Sequence, residues 1–166
     1  MARRPLPPES IKAIRVRTYA MAASLGHAEV HSEFGSRFSL PFAVASLICH
    51  GRPGLDNHDA SAVADLRIRT LARRVEVTED PNFTRAFPQQ QPTEVTVVLA
   101  AGTESSQRSD FHPGEAENPH RPDAIRRKFL ELTAPVWGGE RAETLYDRVL
   151  ELERVPDVTA VTGRGL

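Results

Sequence analysis

Residues 33–51 read EFGSRFSLPFAVASLICHG, and this stretch decides the fold. Ser39 stands where a helix wants its N-cap: a serine oxygen can accept one of the first-turn N–H groups that have no partner inside the helix. Pro41 is tolerated just beyond it, because a first-turn N–H is unpaired anyway. From Leu40 to Ile48 nearly every face is apolar, through Phe42, Ala43, Val44, Ala45, Leu47 and Ile48. A helix apolar all round belongs inside a protein rather than on its surface. Gly51 closes it at the position that favours a left-handed cap. The pattern predicts a buried helix over residues 39–50, with the other elements arranged around it.

Upstream, residues 1–9 are rich in Pro and Arg and read as a frayed lead-in. Ile11 to Thr18 alternates imperfectly, Ile14 and Val16 against Arg15 and Arg17, as a half-buried strand does. Tyr19 to His31 fits either a short strand or a loop. Downstream, RPGLDNHD at 52–59 is dense in turn residues and predicts a surface loop. Ala60 to Arg74 reads as one helix, and a short strand begins at Val75. Residues 82–92, with two Pro and three Gln, predict a loop or edge segment. Thr93 to Ala100 alternates as a strand, 101–103 turns, and Glu104 to Asp110 returns as a polar edge strand. Residues 111–121 have no period. Pro122 then opens a helix with a stripe at Ile125, Phe129, Leu132 and Val136. Trp137-Gly138-Gly139 breaks it, and Ala142, Leu145, Val149 and Leu152 form a second stripe, so the pair predicts a helical hairpin. Val158 to Val161 reads as a closing strand. The sum is a single α+β domain over 1–166: a two-layer sandwich, mainly antiparallel, with helices on one face and a C-terminal helical hairpin.

Composition bounds the function. With 166 residues, a net charge of −1 and 40% hydrophobic residues, the chain is an ordinary globular protein with room for a real core. It lacks the concentrated basic face of a nucleic-acid binder and any run of roughly 20 apolar residues that would span a membrane. The opening MARRPLPPES has no apolar core of a secretory signal. Cys49 is the single cysteine, which excludes an internal disulfide and fits a cytoplasmic location. Lys occurs only at Lys12 and Lys128, which leaves few candidates for a lysine acid or base.

Most candidate chemistries have a plainer reading. His27 and His31 share the i, i+4 spacing of a metal grip, but HAEVH lacks the glutamate of the zinc-protease motif, and no metal is expected. Cys49 sits on the last helical turn, where the dipole has the wrong sign to activate a thiol, so it reads as a core residue. Gly114 to Pro119 precedes a helix, yet Glu115, Glu117 and Asp123 would repel an anion. No phosphate-binding loop, dinucleotide fingerprint or nucleophile elbow is present. Arg37 and Ser39 remain: a cation and a hydroxyl beside a helix N-terminus suit a carboxylate ligand.

Arg37-Phe38-Ser39-Leu40-Pro41-Phe42-Ala43 resembles the "basic-Phe-Ser-Leu-Pro-aromatic-Ala" helix of the 2-methylcitrate dehydratase (MmgE/PrpD) family, in its smaller C-terminal domain. SIKAIRVRT at 10–18, LARRVEVTED at 71–80, residues 87–98 with PTEVTVVL (92–99), GEAENPHRPDAIRRKFL at 114–130 and the Pro-Asp-Val tail within 145–161 are similar to that domain's successive segments, in order. The resemblance implies a cofactor-independent lyase or isomerase of small di- and tricarboxylates, of the kind found in propionate metabolism, and a cytoplasmic homo-oligomer such as a dimer. It implies substrate contacts at Arg37, Ser39 and Phe42. Family members often carry Tyr at the position of Phe42, and Phe can neither donate nor accept a proton. The family's acid–base groups lie largely on a preceding all-helical domain, for which this sequence shows no counterpart. The chain is therefore expected to be inactive alone, with a separate helical chain as a partner and no nucleic acid or membrane. The alternative is a non-catalytic ligand-binding or oligomerisation module that reuses the domain.

Overall fold

The computed structural model describes residues 7–162, and they divide into two compact units, one ending at His112 and the other beginning at Pro113. The first six residues of the expected lead-in lie outside the described residues.

The first unit is built on a strand, β1 (Ile11–Thr18). A helical turn, α1 (Ala20–Ala23), follows in the segment whose form the sequence left open. Then come α2 (Glu33–Ser36), α3 (Leu40–His50), α4 (Ala60–Ala64) and α5 (Leu66–Ala72). β2 (Val75–Glu79), α6 (Pro81–Ala86), β3 (Thr93–Leu99) and β4 (Glu104–Ser109) complete it. Short polar caps punctuate this chain. Ser32, Ser39, Asp59, Asp65 and Asp80 each accept a backbone N–H of the first turn of α2, α3, α4, α5 and α6 respectively. Two expectations fail for this reason. The single helix over 60–74 is broken at Asp65, whose extended backbone (ψ 115°) caps a new helix. The loop or edge segment expected over 82–92 begins as α6, because Asp80 caps and Pro81 starts a turn.

The sheet runs in the order β2-β1-β3-β4. β1 pairs with β2 in parallel, Val16 opposite Val77, and with β3 antiparallel, Val16 opposite Val95. β3 and β4 form a hairpin closed by Gly102 at φ 85°, and β4 is the exposed edge strand. This is the α+β, largely antiparallel architecture that the sequence pattern predicts. One face of β1 carries Ile14, Val16 and Thr18 into a core with Phe42 and Ala45 of α3 and Ile68, Leu71 and Ala72 of α5. Each large apolar side chain so enclosed contributes about 1.5–3 kcal/mol. The other face is charged: Arg15 reaches Glu104 at 2.6 Å, and Arg17 reaches Asp80 at 2.5 Å. Phe83 of α6 lies under the Arg17 and Arg108 guanidinium groups, 5.5 and 4.7 Å from its ring centre. Such exposed pairs add little, about 0–1 kcal/mol each.

α3 follows its caps: Ser39 accepts the Phe42 N–H, and Gly51 adopts φ 72°. It is not enclosed on all sides, however, since Leu47 is 46% exposed. Pro41, Phe42, Ala45 and Ser46 form its buried side.

The second unit holds α7 (Pro122–Trp137) and α8 (Gly139–Leu150), separated at Gly138 (φ 83°), and α9 (Thr159–Thr162). Phe129 of α7 meets Tyr146 of α8 at 5.4 Å, while Ala142 and Leu145 are buried. The closing strand expected over 158–161 is instead the α9 helical turn. Asp157 explains it: its carboxylate accepts both the N–H and the hydroxyl of Thr159, as an N-terminal cap does.

Candidate functional site

The corner between α2 and α3 is fastened from several sides. The Ser32 hydroxyl caps α2 through the Gly35 N–H at 3.0 Å, and the Phe38 N–H reaches the Gly35 carbonyl at 3.1 Å. The Leu40 N–H donates to the Leu25 carbonyl at 2.9 Å. The Ser39 hydroxyl makes two bonds: it donates to the His27 carbonyl at 2.5 Å and accepts the Phe42 N–H at 3.1 Å. Arg37 is exposed at this corner, as are Phe34 and Phe38, and it forms no ion pair with the described residues.

A histidine comes to the same corner from the segment after α3. Leu55 to His58 form a single 3-10 turn, held under α3 by Asn57. The Ser46 hydroxyl donates to the Asn57 carbonyl at 2.8 Å, and the Asn57 amide donates back to Ser46 at 3.2 Å. His58 is thereby placed with Nδ1 3.0 Å from the buried Ser36 hydroxyl and its ring 6.1 Å from that of Phe42. Burial, and after it the Arg37 charge, hold the His58 imidazole below its usual pKa, which favours the neutral ring. The corner thus offers a guanidinium to an anion and a neutral ring to a hydrogen-bond donor.

The three residues expected at a substrate site do not stand alike. Arg37 is exposed. Ser39 is 1% exposed, with its hydroxyl engaged at both ends. Phe42, also 1% exposed, belongs to the core and backs His58. Reading residues 52–59 as a plain surface loop concealed His58; the buried Asn57 beside it, 5% exposed, is the mark of an anchored turn. Cys49 is half-buried on α3, and burial first, then Asp65, push its thiol pKa up, as for a packing residue. A separate open groove of about 680 Å³ lies between α2 and α4–α5, lined by residues including Val30, Glu33, Phe34, Val63 and Arg69. None of Arg37, Ser39 and Phe42 lines it. No helix among the described residues is long and apolar enough to cross a membrane.

Comparison with known families matches residues 1–152 to the MmgE/PrpD C-terminal domain. No curated protein matches the chain.

Proposed function

Since the chain belongs to the MmgE/PrpD family, as its C-terminal domain, we propose that it forms one wall of a site for small di- or tricarboxylates in a cofactor-independent lyase or isomerase of the 2-methylcitrate dehydratase type. The observation that carries this reading is Arg37: an exposed guanidinium, without an ion pair to the described residues, on a corner tied down by Ser39. A planar guanidinium takes a carboxylate through two parallel hydrogen bonds, which fixes its orientation as well as its charge. Ser39 and Phe42 serve the site from behind, the one holding the turn and the other the floor.

Abstraction of a proton beside a carboxylate and loss of a leaving group need a base, an acid and cations for the developing charge. On this reading the chain supplies the cation, and most of the proton-handling groups belong to a separate helical domain. The isolated chain therefore binds carboxylates without turning them over. Phe34 and Phe38, 73% and 47% exposed with ring centres 5.0 Å apart, are consistent with a face that a helical partner covers. A cytoplasmic homo-oligomer is part of the same reading. The test is a pair of measurements on the isolated chain, turnover of 2-methylcitrate and cis-aconitate and calorimetric binding of each. Binding without turnover, abolished by Arg37→Ala, is expected. Turnover that disappears in Arg37→Ala would overturn the claim of inactivity, and binding indifferent to Arg37 would overturn the site.

A further inference from the structure

The hydrogen-bond directions around Ser36 indicate which nitrogen of a neutral His58 ring carries the hydrogen. A serine hydroxyl has one proton. Ser36 donates that proton to the Glu33 carbonyl at 2.7 Å, which can only accept. At its 3.0 Å contact with His58, Ser36 must therefore accept, and Nδ1 of the ring must carry the hydrogen. The neutral ring then has its lone pair on Nε2. Nε2 has no hydrogen-bond partner among the described residues, and the one buried side-chain N or O atom lacking a partner among them is Asn57 Oδ1. Nε2 is thus open to solvent, a preset acceptor beside the residue that follows Ser36, which is Arg37.

We propose that Arg37 and His58 form a two-point site for a hydroxycarboxylate, the guanidinium binding the carboxylate and Nε2 of His58 accepting the substrate's hydroxyl hydrogen. The proposal rests on the carboxylate reading of Arg37 and adds the feature of the ligand that the site selects. An imidazolium would donate from both nitrogens and repel the hydroxyl hydrogen; a ring with the opposite tautomer would meet it with an N–H. Ser36 is the positioning residue that prevents the second, and the apolar side of the ring against Phe42 disfavours the first.

The experiment compares citrate with tricarballylate, which has the same three carboxylates and no hydroxyl, by calorimetry on the full chain. Citrate is expected to bind about fivefold more tightly, the ratio that one added neutral hydrogen bond confers. His58→Phe should bring citrate down to the affinity of tricarballylate and leave tricarballylate unchanged; His58→Gln, whose amide oxygen can accept, should recover part of the difference. Long-range proton–nitrogen spectra of the wild type should show a protonated Nδ1 and a bare Nε2, with both tautomers present in Ser36→Ala. Equal affinities for the two acids, or a protonated Nε2 in the neutral wild type, overturn the His58 assignment and leave Arg37 standing. Binding of neither acid overturns both.

Discussion

Ser39→Ala should destabilise this protein far more than an ordinary capping serine would, and the structure says by how much. Losing an N-cap hydroxyl costs about 1 kcal/mol. Here the same hydroxyl, on a serine 1% exposed, also donates to the His27 carbonyl at 2.5 Å. Removing a buried donor and leaving its acceptor unsatisfied costs about 1–3 kcal/mol. The sum is about 2–4 kcal/mol. Ser32→Ala is the internal control: Ser32 caps α2 through a comparable bond of 3.0 Å but is exposed, so it should cost no more than about 1 kcal/mol. Urea unfolding of both variants, followed by far-ultraviolet circular dichroism, gives the comparison. With a slope of roughly 2 kcal/mol per molar urea, Ser39→Ala should lower the midpoint by about 1–2 M and Ser32→Ala by less than about 0.5 M. Trp137, the single tryptophan, lies in the second unit, so its fluorescence follows that unit separately. Equal midpoints for the two variants would refute the claim that Ser39 holds the corner.

Stability should fall in two stages as the pH drops. His58 has a folded pKa below its unfolded value of about 6.5, so between those two values the unfolded chain binds the extra proton and folding weakens as the pH falls. Glu29, Asp59, Asp65 and Asp80, held low mainly by hydrogen bonds, bring a second loss at more acid pH, below about 4. Denaturation midpoints across pH 7.5 to 5 should show the upper stage, and His58→Phe should remove it; an unchanged slope in that variant contradicts the assignment. The Cys49 thiol, its pKa raised chiefly by burial, should react with iodoacetamide at pH 7.5 several-fold more slowly than in the urea-unfolded chain, and equal rates would show it to be accessible. Gly51→Ala meets no atom within 4 Å but must hold φ 72°, so it should cost about 1–2 kcal/mol by urea unfolding; a neutral result would mean that another cap can replace the left-handed one.

Where a single residue type dictates local structure, the sequence was sufficient. Ser39, Pro41 and Gly51 bracket α3 as the capping rules require, and Pro122 and Gly138–Gly139 bracket α7. The polar return strand 104–109 declared itself an edge by lacking any apolar face. The reading went wrong where a weak apolar period was weighed above a cap. Ala64, Ile68 and Leu71 keep helical spacing through residues 60–74, yet Asp65 between them ends one helix and caps the next. Asp80-Pro81 was an equally clear start signal, hidden by the prolines and glutamines that follow. Apolar content also overstated how far α3 is enclosed, because burial depends on what packs against each face, and nothing in residues 40–50 tells Leu47 that its side stays open.

The candidate site shows a different limit. Residue type and spacing pointed to Arg37 and Ser39 together, since a cation and a hydroxyl at a helix start suit an anion. Chemistry at a hydroxyl depends on where its one proton and its lone pairs already go, and those are long-range facts. The proton of Ser39 goes back to His27, and that of Ser36 to Glu33. The first assignment spends the Ser39 proton on the backbone; the second, in the proposed site, makes a histidine 22 residues further along the chain an acceptor. Neither could be inferred from an amphipathic pattern, because both follow from the order in which neighbours satisfy one another once the corner has formed. In the proposed site the shaping residues are therefore the ones whose polar groups are spent on the backbone, and those proposed to act on a ligand are Arg37 and His58.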